Sequence, residues 1–315
     1  MQTKNKLITP LLLSVSPVAA TAIINKVIKI SASSRKILVK PEAHCYKWRL
    51  GTIHYTVSGS GKPLLLIHDL APESNSYEWN YILHSLSEHY KVYSIDLLGC
   101  GRSEKPNITY TNYLYVQLLS DFIRSEIGHR TDVIATGASS SISIMACSLN
   151  PELFDRLLFI NPESILSSSQ IPGKNAKFYK FILDLPVLGT LLYNFAVSKK
   201  SIEEGFTKEY FYNPFSVRSS CIDAYYESAH LGNSPKSVFA SVQCNYTKCN
   251  ILTALKRIDN SIYLLGGSSV DDIEVILSEY KLYNPAIEYA IIPNTKHLPQ
   301  LEAPQEVLNA IYTFF

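Results

Sequence analysis

The sequence predicts an α/β domain: a central, mostly parallel sheet flanked by helices, with a helical insertion late in the chain. Three observations carry this expectation. From about residue 45, short apolar runs such as Leu64 to His68 alternate with segments of helical spacing. That alternation is the pattern of parallel strands buried on both faces and joined by right-handed crossovers. From about residue 165 to 250 it stops, and a stretch rich in Tyr, Phe and Ser reads as helical without a convincing strand. Strand-like runs then return from Ser261 to Leu265 and from Glu288 to Ile292, before a closing helix from Pro304 to Phe314.

The elements follow in order. Trp48 to Val57 reads as two strands around a turn at Gly51, and Ser58 to Pro63 is a turn cluster. Leu64 to His68 is a buried strand, Tyr81 to His89 has helical spacing, and Lys91 to Asp96 is the next strand. Leu114 to Ile127 is a helix, with Leu118, Leu119, Phe122 and Ile123 on one side. Asp132 to Thr136 is a strand, Ile142 to Leu149 a helix and Leu157 to Ile160 a strand. The reading divides the chain into an N-terminal apolar or amphipathic segment, 1–44, and a domain, 45–315, whose insertion at about 165–250 has the layout of a lid or cap.

Composition narrows the function classes. With 46% apolar residues the 315-residue chain can bury a sizeable core. A net charge of +2 and the lack of a dense Lys/Arg block give no reason to expect nucleic acid. The six cysteines are scattered without a CxxC pair, and nothing near Cys244 and Cys249 completes a zinc pattern. No metal or cofactor is implied. Unpaired thiols suit a reducing compartment, so the expectation is a cytoplasmic protein, with secretion disfavoured.

The N-terminus has three readings. Lys4 and Lys6 precede an apolar run from Leu7 to Ile24, broken by Pro10 and Pro17. This fits a signal peptide with small residues around Ala19, Ala20 and Ala22, or a membrane anchor that the prolines weaken. It also fits a helix lying on the domain or on a membrane surface through residues 7–30.

Two local patterns carry chemistry. In the run from Val133 to Ser141 an apolar strand meets small residues and passes directly into a helix. This is the setting of a nucleophile elbow, G-x-S-x-G, with Ser139 as nucleophile between Gly137 and Ser141. The Ser140 N–H would then stand at a helix N-terminus as an oxyanion donor. The plain alternative is a Ser-rich helix cap. Downstream, His297 follows the last strand in a loop before the final helix, where a general base could take the Ser139 proton.

Four segments in this order resemble the α/β-hydrolase family: Ile67-His68, the run from Asp96 to Ser103, the elbow, and the stretch from Asn294 to Pro304 containing His297. The resemblance covers roughly residues 46 to 315. It implies Ser139 as nucleophile, His297 as base, the Leu70 N–H as second oxyanion donor, and the insertion as a cap over the substrate. An esterase acting through an acyl-enzyme on an apolar ester is the activity implied. Asp in place of Ser139 would have suggested haloalkane or epoxide opening. The aromatics of the insertion, among them Phe178, Tyr179, Phe181, Tyr193, Phe195, Phe206, Tyr210, Phe211 and Tyr212, either form an apolar pocket or glue the insertion to the sheet.

Three departures from the family pattern stand out. His68 is followed by Asp69 rather than Gly, so this carboxylate must point away, be paired, or mark a changed site. Ser141 replaces the elbow's second glycine. Counting three residues from Gly267, where the family's acid belongs, lands on Val270; Asp271 needs one inserted residue, and Glu163 is the alternative acid. The Ser141 change is small, but Asp69 and the displaced acid support a rival expectation: a hydrolase fold that binds or scaffolds without turnover.

Overall fold

The computed structural model describes residues 8–39 and 43–315, without the side chains of 8–18. Lys4, Lys6 and Leu7 of the N-terminal segment lie outside the described residues. Eight strands form one sheet among those residues: β1 (Ala43–Trp48), β2 (Gly51–Ser58), β3 (Lys62–Ile67), β4 (Tyr90–Ile95), β5 (Thr131–Thr136), β6 (Phe154–Ile160), β7 (Ile262–Gly267) and β8 (Glu288–Ile292). Their order is β1-β2-β4-β3-β5-β6-β7-β8. The hairpin β1–β2 and the pair β2–β4 are antiparallel; every pairing from β4 through β8 is parallel.

The continuous apolar runs are explained by the two-faced burial of the sheet. Leu64, Leu65, Leu66 and Ile67 are all fully buried. Because side chains alternate along a strand, Leu65 and Ile67 join the core on one face, and Leu64 and Leu66 join the core on the other. Helices Asn112–Phe122 and Ala138–Leu149 cover the first face, and helix Pro304–Phe314 covers the second. β8 and the closing helix have the bounds the sequence predicts, whereas the first strand begins earlier, at Ala43.

Between Ile160 and Ile262 the described chain forms helices and no strand. This insertion has its own core, in which Tyr193, Phe206, Phe211 and Tyr225 meet Leu298 and Leu301 from the segment after His297. Its aromatics divide. Tyr193, Phe206 and Phe211 are buried glue, while Phe178, Tyr179, Phe181, Phe195 and Tyr212 stand exposed.

The N-terminal helix, Ile8–Ala32, packs on the insertion. Lys29 Nζ donates to the Gly232 carbonyl at 2.8 Å, and Asn194 Nδ2 to Asn25 Oδ1 at 2.5 Å. The segment after it is tied down by the Arg35–Asp223 ion pair and by the Ile37 N–H, which donates to Glu227 at 2.7 Å. Among the described residues no helix is long and apolar enough to cross a membrane. All six cysteines are free thiols, five of them buried.

Candidate active site

Parallel strands aim their carboxyl ends at one edge of the sheet, where α/β folds open a ligand crevice. β3 delivers His68, Asp69 and Leu70 to that edge; β5 delivers Gly137, β6 Asn161, and β8 the loop carrying His297. A cavity of about 330 Å³ lies there, lined among others by Asp69, Glu78, Gly137, Asn161, Tyr210, Tyr225 and His297.

The apex of the elbow is Gly137. Strand β5 pairs with β6 through Thr136 and Ile160, and the Gly137 N–H still donates to the Ile160 carbonyl at 3.1 Å. The next helix starts at Ala138, so one residue makes the whole turn, at φ 52° and ψ −127°. A side chain rarely tolerates this backbone, and an elbow holds its nucleophile in such a strained strand-to-helix turn. Here the position carries a hydrogen atom.

Ser139 therefore needs correction. It sits in the first turn of the helix, fully buried, and its hydroxyl donates to the His68 carbonyl at 2.6 Å. It is not among the residues lining the cavity that His297 lines. The letters Gly137-x-Ser139-x-Ser141 fit G-x-S-x-G, but the end of strand pairing sets the turn two residues earlier. Ala135 and Ser139 then become the two small residues flanking the apex. Ser139→Ala should cost about 1 kcal/mol of stability, the worth of one buried hydrogen bond, with binding in the cavity unchanged. Urea unfolding beside a ligand titration checks this, and a binding defect at full stability would contradict it.

The oxyanion donors shift in the same way. The Ser140 N–H is spent on the Gly137 carbonyl at 3.2 Å. The N–H groups of Leu70 and Ala138, the residue after the apex, converge instead on one atom. Both donate to Asp69 Oδ1, at 2.7 and 2.8 Å. This is the donor pair an elbow offers to a tetrahedral oxyanion, and a carboxylate of the protein itself fills it. The charge also faces the N-terminus of the helix that starts at Ala138, which favours an anion. A Cβ built on Gly137 would lie 2.3 Å from Asp69 Oδ1 and 2.4 Å from Cγ, so the carboxylate occupies the space of the missing side chain.

His68 holds the Asp69 loop. It is fully buried, and burial lowers its pKa. Its Nε2 accepts from the Leu97 N–H at 3.0 Å, which leaves Nδ1 to donate to the Asp69 carbonyl at 2.6 Å. Asp96, from the run that carries the resemblance, accepts from the N–H groups of Ser76 at 2.8 Å and Arg102 at 2.9 Å, joining two loops.

Beneath Asp69 lies Glu78, which the sequence reading did not single out. It is fully buried in the short helix Ser76–Trp79. Its carboxyl accepts from Thr136 Oγ1 at 2.9 Å, Tyr225 OH at 3.0 Å and the Asp69 N–H at 3.3 Å. Burial, and then the charge of Asp69, push its pKa up to about 8. An acid between Tyr77 and Trp79 was the available signal, since charged residues go inside only when partnered. Glu73 is a further acid raised by burial, with Tyr210 as a hydrogen-bond partner.

His297 reaches the cavity on a loop held by Asn161, whose Nδ2 donates to the carbonyls of Lys296 at 2.9 Å and His297 at 3.0 Å. Asn161 Oδ1 accepts from the Gly267 N–H at 2.8 Å, so one side chain ties β6, β7 and the His297 loop together. Desolvation lowers the His297 pKa, and Asp69 is the foremost charge opposing that shift.

Among the described residues, no carboxylate is hydrogen-bonded to the His297 ring. Asp271 is exposed and acts on His297 only through weak electrostatics. Val270 packs against the core, so the position three after Gly267 holds no acid. Glu163 pairs with Lys248, and its carbonyl accepts from Tyr280 OH at 2.8 Å. Asp271 thus stays at the surface because the loop after β7 turns at Gly267–Val270 without an insertion, while Glu163 is held by Lys248.

Comparison with known proteins agrees with this architecture. A family model described as the alpha/beta hydrolase family matches residues 64–310. A soluble epoxide hydrolase of Corynebacterium sp. (strain C12) is 26% identical over 275 residues, spanning 84% of this chain and 93% of that one. A 2-hydroxy-6-oxo-6-(2'-aminophenyl)hexa-2,4-dienoic acid hydrolase of Metapseudomonas resinovorans is 26% identical over 114 residues, only 36% of this chain and 39% of its own length. Among solved structures, the epoxide hydrolase CorEH superposes with a TM-score of 0.69 at 22% identity, covering 87% of this chain and 98% of that one. Naproxen esterase from Bacillus subtilis gives 0.66 at 18% identity, covering 92% and 98%.

Proposed function

The chain belongs to the α/β-hydrolase family, and from that premise we propose that it keeps the family's cavity for binding a small molecule while lacking the covalent step. The observation that carries this reading is Asp69 Oδ1 seated between the N–H groups of Leu70 and Ala138, beside an apex without a side chain. An acyl-enzyme needs a nucleophile at the apex and an empty pair of donors for the oxyanion. The cavity supplies neither. Acyl transfer through Ser139 would require that hydroxyl to leave a buried hydrogen bond and reach past the apex.

The wall chemistry suggests the ligand class. Asp69 contributes a negative charge, no Lys or Arg among the described residues lines the cavity, and Tyr210 and Tyr225, whose ring centroids are 6.3 Å apart, form part of its wall. Such a lining favours a small cation or a donor-rich neutral molecule over a carboxylate. Thermal-shift titration with alkylammonium compounds should raise the melting temperature, since ligand at 100 times its Kd adds about 2.7 kcal/mol. Matched alkyl carboxylates should leave it unmoved, and Asp69→Asn should abolish the ammonium shift. Stabilisation by carboxylates that survives Asp69→Asn would overturn the reading.

A second reading follows from Asp69 being the foremost charge that draws a proton to His297. Asp69 and His297 together could activate water for direct hydrolysis, without an acyl-enzyme. Its signature is ester or epoxide turnover that is lost in His297→Ala and unchanged in Ser139→Ala.

A further inference from the structure

Independently of the cavity, we infer that the N-terminal helix and the first two long helices of the insertion form one surface that docks on an anionic lipid membrane. In helix Leu188–Ala196, residues Leu188, Leu191, Leu192 and Phe195 follow i, i+3, i+4, i+7 spacing. That pattern normally faces a core, yet all four are exposed, Phe195 by 81%. Phe178 and Phe181 repeat the inversion on helix Ala176–Asp184, at 62% and 60% exposure. Ile23, Val27 and Ile30 do so on helix Ile8–Ala32.

The three helices adjoin. Ala176–Asp184 packs on Leu188–Ala196, which packs on the N-terminal helix. An apolar groove of about 590 Å³, walled by Tyr179, Ile182, Leu183 and Leu192 of the two insertion helices and by Phe239 and Cys244, opens beside them. Exposed apolar area of this extent marks an interaction site.

Charge identifies the occupant. The three helices contain four lysines and one acid, Asp184, which is already paired with Lys180. Lys26 and Lys177 stand exposed beside the apolar side chains, as does Lys174 just before the second helix. The first 41 residues of the chain hold seven basic residues and no acid. Protruding Phe, Leu and Ile within a lysine rim is the composition of a surface that inserts shallowly among anionic headgroups. The helices lie on the membrane in this arrangement and do not cross it.

Flotation of the full chain tests this with phosphatidylcholine vesicles, with and without phosphatidylserine. The protein should float with the phosphatidylserine vesicles, more weakly with phosphatidylcholine alone, and less as salt rises. The triple variant F178S/F181S/F195S should lose at least about tenfold in partitioning, and K26E/K174E/K177E should lose the preference for phosphatidylserine. All six side chains are exposed, so unchanged thermal melts verify the fold. Wild-type protein that stays at the bottom with both vesicles overturns the proposal. So does a stable dimer in solution that F178S/F181S/F195S converts to monomer, because a second copy would then own the surface.

Discussion

Wild-type protein is expected to remain unlabelled by a fluorophosphonate probe, and the double variant G137S/D69G to become labelled. The probe needs a hydroxyl at the cavity, a base beside it and donors for the phosphoryl oxygen. Gly137 denies the first, and Asp69 occupies the third. The single variant G137S should stay dark and lose stability, because its Cβ would stand 2.3 Å from Asp69 Oδ1. Asp69→Gly alone should also stay dark. Combined, they put a hydroxyl at the apex and return the Leu70 and Ala138 N–H groups to the oxyanion, with His297 already lining the cavity. One such donor is worth about 100-fold or more, so labelling should rise by at least that factor over wild type. Val270→Asp, placed three residues after Gly267, should raise it further by orienting His297. Labelling of wild type that vanishes in Ser139→Ala would restore Ser139 as nucleophile and remove the argument built on Gly137.

The second large effect is a stability that falls as pH rises, with Glu78 as a principal source. Its carboxyl moves from the ordinary 4.5 to about 8 on folding, first through burial and then through the charge of Asp69. Between those values the folded protein holds a proton that the unfolded chain has released. Stability must then decline with rising pH by at most about 1.4 kcal/mol per unit for this group. The decline begins near the unfolded value and ends above pH 8, where both states are ionised. Glu78→Gln keeps a neutral group of the same shape and should flatten its share of the slope in urea unfolding from pH 5 to 8. Asp69→Asn should flatten it partly, by removing the charge that raises Glu78. Parallel pH profiles for wild type and Glu78→Gln would show that Glu78 ionises normally in the fold.

The sheet was legible because the signal for a parallel strand is local. Leu64 to Ile67 must be apolar on both faces, and any reader of the sequence sees four such residues in a row. Glu288–Ile292 and the helix Pro304–Phe314 were legible through their own local apolar spacing. His297 was legible through its place after the last strand. Asp69 was legible as an anomaly, although its destination was not.

Glu78 offered only the signal of an acid between two large aromatics, because its partners Thr136 and Tyr225 come from distant segments. The exposed stripe of helix Leu188–Ala196 was also hidden: periodicity shows that an apolar face exists and says nothing of whether another element covers it.

By itself, then, the order of residues determined the layered α/β architecture, the helical insertion, and the delivery of Asp69, the elbow and His297 to one edge of the sheet. Only the folded chain decided which residue of the elbow stands at its apex, since β5 stops where its pairing with β6 stops, at Thr136. Only the folded chain could bring a carboxylate from the end of β3 between two N–H groups, one from its own loop and one from the end of β5. Strand ends and oxyanion holes are made by segments remote in sequence, and no local pattern encodes where they meet.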